Sequence, residues 1–259
     1  MRLLVLLSAL AMPIVAWLSQ AGVFGPDNGT VSDRYPTLLV AAGYAFSIWG
    51  LIFLLDLLYA AWQASGRRRD DPLLAHIAPA VAAGFVLTSA WMPLFSLGLF
   101  GACLVVIFAA LACLAWAALQ VARAAPEPSR PRLWAWLPLS LHAGWLSLAA
   151  FLNLAQAALA FGWVRSDAQL GLGLLLFAAA AGVLLELNRR MHGNAAYAAA
   201  ALWGLVAVGW EQSRSSVPGA ATAASVALAI ASLLLLQTVW LYWRRWPRQA
   251  PISGARERN

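Results

Sequence analysis

The sequence predicts an all-α fold, a polytopic transmembrane helical bundle of about eight spans, and three observations carry that reading. Hydrophobic residues make up 63% of the 259-residue chain and charged residues only 10%, against roughly 25% charged in an ordinary soluble domain. The apolar residues come in long runs divided by short polar breaks, as membrane-spanning helices require. All seventeen basic residues are arginine, and their placement alternates along the chain as the positive-inside rule expects. The net charge of +7 is therefore a topology signal and gives no support to a nucleic-acid partner. No stretch is long and polar enough for a separate soluble domain.

Taken in order, the spans are Leu3–Val23, Leu38–Trp62, Leu74–Trp91, Phe95–Leu119, Trp134–Ala160, Leu170–Leu187, Ala195–Trp210 and Ala220–Tyr242. The first follows a single arginine and lacks a clean small-x-small cleavage site, so it reads as an uncleaved span rather than a secretory signal. The third and fourth are divided only by Met92-Pro93-Leu94, where proline predicts a tight turn. The seventh is short and alanine-rich. Gly25 to Thr37 is the longest external loop, read as a connector or a lid, and Ala124–Pro131, with three prolines, as an extended linker. The tail from Arg244 to Asn259 is basic and cytoplasmic, with Trp243 to Arg248 an interfacial anchor and Gly254–Asn259 disordered. Cys103 and Cys113 stand ten residues apart in one run, about 15 Å along a helix. That is too far for a disulfide, so both read as free thiols.

With both termini in the cytoplasm, the inside holds Arg2, Arg67, Arg68, Arg69, Arg123, Arg130, Arg132, Arg189, Arg190, Arg244, Arg245, Arg248, Arg256 and Arg258. The outside keeps Arg34, Arg165 and Arg214. Such arginines next to lipid attract anionic headgroups, making membrane lipids the expected partner.

Most of the fourteen tryptophans fall at span ends, where indole rings settle at headgroup level. Trp49, Trp145 and Trp203 fall mid-span instead. A buried indole N–H needs a partner that lipid does not offer, so these three are expected to face the bundle interior, either as packing or as the lining of an aromatic pocket. On the second span Trp49, Phe53, Asp56 and Ala60 share one helical face. Asp56 is the one acid well inside a span, where a carboxylate must be protonated, paired or wetted. The fifth span carries His142, Trp145, Ser147, Asn153 and Gln156. Its amides read as interhelical hydrogen-bond partners; its imidazole reads as another such partner, a proton carrier or a metal ligand.

Two phrases resemble the tryptophan-rich sensory protein family, also called the translocator protein or peripheral benzodiazepine receptor family. They are Tyr44-Ala45-Phe46-Ser47-Ile48-Trp49-Gly50-Leu51-Ile52-Phe53 and Trp145-Leu146-Ser147-Leu148-Ala149-Ala150-Phe151-Leu152-Asn153. Between them Thr88-Ser89-Ala90-Trp91 stands where the family has Asn-x-x-Trp. Thr88 replaces the asparagine, Leu141-His142 replaces a Pro-Tyr pair, and Asp56 is outside the pattern. The resemblance covers about residues 1–161 as a five-helix core, leaving 162–243 as three additional helices. It implies a bacterial-type inner-membrane protein with an interior pocket for porphyrins, haem or other flat hydrophobic ligands. No cofactor is required. Trp49, Trp91, Trp145 and Asn153 carry over as pocket positions, and His142, standing where a pocket tyrosine would be, could ligate haem iron.

Three functions compete: a binding or sensory protein for a flat hydrophobic small molecule, a transporter of such a molecule, and a non-catalytic membrane scaffold. Transporters commonly show repeated halves, broken helices and several intramembrane charges, and the sequence shows no internal repeat. An enzyme is not expected, since no phosphate loop, metal-spaced cluster or nucleophile with a base is present. His76 and His192 read as interfacial. The small residues at Ala178–Gly182 and Ala195–Ala201 fit close helix packing within the bundle or across a homodimer.

Overall fold

A computed structural model describes residues 1–124 and 132–245; the linker expected at 124–131 and the tail after Arg245 lie almost wholly outside it. Among the described residues there are eight long α-helices and one short one: α1 (Arg2–Gln20), α2 (Asn28–Asp33), α3 (Ile48–Ala64), α4 (Pro72–Ser96), α5 (Phe100–Ala124), α6 (Leu133–Ala160), α7 (Leu170–Arg190), α8 (Ala195–Gln212) and α9 (Ala220–Arg245). Among the described residues there is no strand. Seven helices, all but α2 and α8, are long and apolar enough to cross a membrane, and the chain is a multi-pass membrane protein.

The helices close two rings that share one member. Neighbours run α1–α4–α5–α6–α3 and back to α1, then α6–α8–α9–α7 and back to α6. Sharing explains the composition of α6. Every residue from Pro138 to Phe151 is buried, as expected of a helix apolar all round and enclosed on every side. Its polar side chains reach these neighbours: Ser140 accepts from Asn194 and Ser147 from the Tyr197 hydroxyl, both of α8, and Gln156 donates to Ser32 of α2.

Helix α8 crosses the bundle despite its lower hydropathy. Its N-cap Asn194 reaches Ser140 near the arginine-rich end, whereas its last residue, Gln212, donates to the Thr37 and Val40 carbonyls at the other end. Flanked by α6 and α9, it exposes one stripe that includes Trp203, Val206 and Trp210, and its remaining faces need not be uniformly apolar. Close approach is possible because Gly144 of α6 lies directly against the Tyr197 backbone; a Cβ there would stand 2.2 Å from the Tyr197 carbonyl oxygen.

Two boundaries differ from the sequence expectation. The chain does not turn at Met92-Pro93-Leu94; α4 continues through Pro93 to Ser96. Proline there removes one backbone donor within the last turn, a small loss. The stop comes from Gly98, whose φ of 71° completes a Schellman closure in which Leu99 N–H donates to Leu94 O and Gly98 N–H to Phe95 O.

The second span is not one helix from Leu38. Residues 38–42 are irregular, Gly43–Ser47 form a 3₁₀ turn, and only Ile48–Ala64 is α-helical. Non-helical backbone at membrane depth persists only where protein satisfies it or a cavity borders it, and both hold here. Ala42 N–H donates to Ala207 O, Trp203 Nε1–H to Ala45 O, and Gln212 covers Thr37 and Val40. Trp203 is therefore not an interior pocket residue as expected; it is 41% exposed, its N–H satisfied by the broken segment.

Candidate functional site

Helices α1 and α3 are joined at the arginine-rich end, where Arg2 donates to Gln63 Oε1 and Gln63 Nε2 donates back to Arg2 O. At the other end a cleft of about 510 Å³ opens between them, walled by Trp17, Asn28, Phe46, Trp49 and Phe53. That volume is within the usual range of small-molecule sites. Helix α2 roofs it. Asp27 caps α2, accepting from the Thr30 hydroxyl and N–H at 2.6 and 3.0 Å, and these bonds hold its carboxyl below the ordinary value. The cap is thus fully formed above the unfolded-chain pKa and is lost as pH falls through the lowered one.

Behind the cleft, sharing Ser32, Ala41, Phe46 and Trp49 with it, is a smaller inner cavity of about 30 Å³, room for about one water. Trp91, Phe95, Trp145, Asn153 and Gln156 also line it. Trp49 is the pivot of this wall. It stacks on Phe53 (centroids 5.4 Å) and Trp91 (6.4 Å) and meets Trp145 edge-on at 5.9 Å. Trp91 donates its Nε1–H to Asn153 Oδ1 at 2.9 Å. Replacing Asn153 with leucine strands that buried N–H, and a loss of about 1–3 kcal/mol is expected, measured as a lowered melting temperature in detergent.

Trp145 is 3% exposed, and its Nε1–H has no partner among the described residues. Its Cζ3 edge lies against the position a Gly204 Cβ would take. Because Nε1 projects from the indole on the side opposite Cζ3, that donor points away from α8.

Asp56 and His142 lie together, one aromatic layer deeper. Both are fully buried, with Nδ1 and Oδ2 2.8 Å apart. Phe85 stacks on the imidazole at 6.0 Å and Trp49 meets it edge-on at 5.8 Å. The Thr88 hydroxyl donates to Gly84 O, so toward His142 Nε2, at 3.4 Å, it can only accept. That places a hydrogen on Nε2, with the remaining shared proton between Nδ1 and Asp56. With both nitrogens engaged and the ring buried, His142 lines neither the cleft nor the inner cavity.

The structure thus brings Trp49, Phe53, Trp91, Trp145 and Asn153 to the cavities and sets Asp56 and His142 behind them. Ser32, Phe46, Trp17 and Gln156 were not anticipated as lining residues. The Gly25–Thr37 loop carried the only signal for Ser32, and the family-like phrase around Trp49 the only one for Phe46; nothing in the local sequence marks Trp17 as different from other span-end aromatics.

A family model described as TSPO-like protein matches residues 2–240, a stretch that runs from α1 into α9. No curated protein matches the chain, and no solved structure does.

Proposed function

Because the chain belongs to the TSPO-like protein family, a group whose members are read as membrane ligand-binding, sensory or transport proteins, we propose that it binds a flat hydrophobic molecule, a porphyrin or haem, between α1, α2 and α3. The observation that carries this reading is the cleft with Trp49 at its base. It is wide enough for a small molecule, and aromatic faces wall it. Planar rings stack on such faces. The polar rim of Asn28 and Asp27 suits the edge of an amphipathic ligand. The roles follow from position: Trp49 and Phe53 stack against the ligand, and Trp91, held by Asn153, backs Trp49. Trp145 presents an unpaired N–H donor near the inner cavity. Asp56 and His142 support the wall from behind. Binding, not catalysis, is the proposed activity.

The arginine distribution supports an inner-membrane protein with both termini cytoplasmic, so that the cleft faces the opposite side. Membrane lipids are the proposed surrounding partners. A second copy docking through the small-residue faces is the proposed assembly.

Transport is the second reading, and one observation favours it. The broken backbone at 38–47 borders the cleft, and interrupted helices are a common feature of transporter sites.

Titration of the detergent-solubilised protein with haem and with protoporphyrin IX tests the binding proposal, followed by absorbance and tryptophan quenching. Saturable binding is expected, weakened about tenfold or more in Trp49→Leu, which removes a stacking face worth about 1–3 kcal/mol. Absence of saturable binding of both compounds overturns the ligand class. Ligand uptake into sealed vesicles, set against simple binding, separates transport from sensing.

A further inference from the structure

Seven buried side-chain polar atoms lack a hydrogen-bond partner among the described residues, and three of them come from consecutive turns of one helix: Asp56 Oδ1, Tyr59 Oη and Trp62 Nε1. An unpartnered buried polar group costs about 1–3 kcal/mol. Three in succession on α3 therefore call for something other than protein to satisfy them. Residues three apart on a helix are neighbours, separated by about 4.5 Å of rise. Waters, each donating and accepting bonds of about 2.8 Å, can link polar atoms held on one side of a helix, and buried waters sit where they find several polar partners.

We propose that Asp56, Tyr59 and Trp62 line a narrow water-bearing track that joins the Asp56–His142 pair to the arginine-rich end of the bundle, making that pair an exchangeable proton site separate from the ligand cleft. The track has a wet end and a dry end. Trp62 is only half-buried, with the Arg68 guanidinium 4.9 Å over its ring, and the charges facing Tyr59 are Asp56, Arg2 and Asp71, the last two from that same end. At the other end Trp49 and Phe53 close over the pair, and neither Asp56, His142 nor Tyr59 lines the cavities.

The chemistry is proton relay alone. Asp56 has one oxygen on His142 and the other free toward the track. A proton taken up from water at Oδ1, followed by a turn of the carboxyl that interchanges its two oxygens, presents the new proton to His142 Nδ1 and returns the formerly shared one to the same water, and the Tyr59 hydroxyl passes a proton on by accepting one and donating its own. Nothing is oxidised, and no net charge accumulates. The inference does not depend on what occupies the cleft.

The test uses the full chain in lipid nanodiscs with ¹⁵N-labelled histidine, the His142 ring signal being assigned by its loss in His142→Asn. After transfer to D₂O the hydrogen that His142 Nδ1 shares with Asp56 is expected to exchange within minutes. In the Tyr59→Phe/Trp62→Phe double variant, which dries the track, exchange is expected to slow at least tenfold. Hydroxyl-radical footprinting of the unmodified protein needs no variant, and it is expected to oxidise Tyr59 despite its burial, because radicals form from the adjacent water. Protection of the His142 proton for hours in the unmodified protein, equally fast exchange in the double variant, or an unmodified Tyr59 each overturns the track.

Discussion

Gly144→Ala is expected to destabilise the protein by at least about 3 kcal/mol, the upper range for forcing a methyl group into a closed contact. The added Cβ would stand 2.2 Å from the Tyr197 carbonyl oxygen and 2.9 Å from its carbonyl carbon. Both are backbone atoms of α8, which cannot rotate aside as a side chain can. Relief requires α6 and α8 to separate, and separation breaks the Tyr197–Ser147 and Asn194–Ser140 hydrogen bonds. Gly182→Ala is the control. A Cβ at Gly182 meets nothing within 4 Å, so relief of glycine's backbone entropy should stabilise α7 by roughly 0.5–1 kcal/mol. Melting temperatures of the two variants in the same detergent should move in opposite directions. If Gly144→Ala melts with the unmodified protein, the α6–α8 contact is looser than described.

The second large effect is non-additive. His142→Leu leaves Asp56 buried and without its partner, and removing one member of a buried pair costs about 3–5 kcal/mol. Asp56→Leu strands the imidazole in the same way. The double variant Asp56→Leu/His142→Leu removes both polar groups from an apolar surrounding of Phe85, Trp49 and their neighbours. It is expected to recover most of the stability lost in either single variant. A double-mutant cycle from chemical unfolding gives the coupling directly, and strictly additive losses would show that the two side chains do not form a pair.

Much of the architecture was legible in the sequence because insertion into lipid enforces simple rules. Every long apolar run but the second became a helix over most of its length, and arginines marked one end of the bundle. What misled was proline and the interior of the second run. Pro93 was read as a turn, yet the closure belongs to Gly98, where a positive φ is needed. The stretch from Leu38 to Ser47 is as apolar as a helix, and its departure from helical form depends on Gln212, Trp203 and Ala207. These lie more than 150 residues away in sequence, beyond the reach of local pattern.

The candidate site was legible as parts. Trp49, Phe53, Trp91, Trp145 and Asn153 stood out by residue type, depth and resemblance. Asp56 and His142 were each recognised as groups in need of a partner, but they are 86 residues apart, and helix pairing was not apparent from spacing. One signal was available: within the apolar spans there is a single central acid and a single central imidazole, and burial favours their meeting.

The sharing of α6 has a mechanical consequence. A helix shared by two rings cannot tilt in one without being felt in the other. Displacement of α6 by a ligand wedged beneath α2 would tug the Gln156–Ser32 bond on one side and the Tyr197–Ser147 bond on the other. The second ring then acts as a counterweight: α8 grips both α6, which backs the inner cavity, and the broken stretch before α3, so the back of that cavity and the threshold of the cleft move together or stay still together.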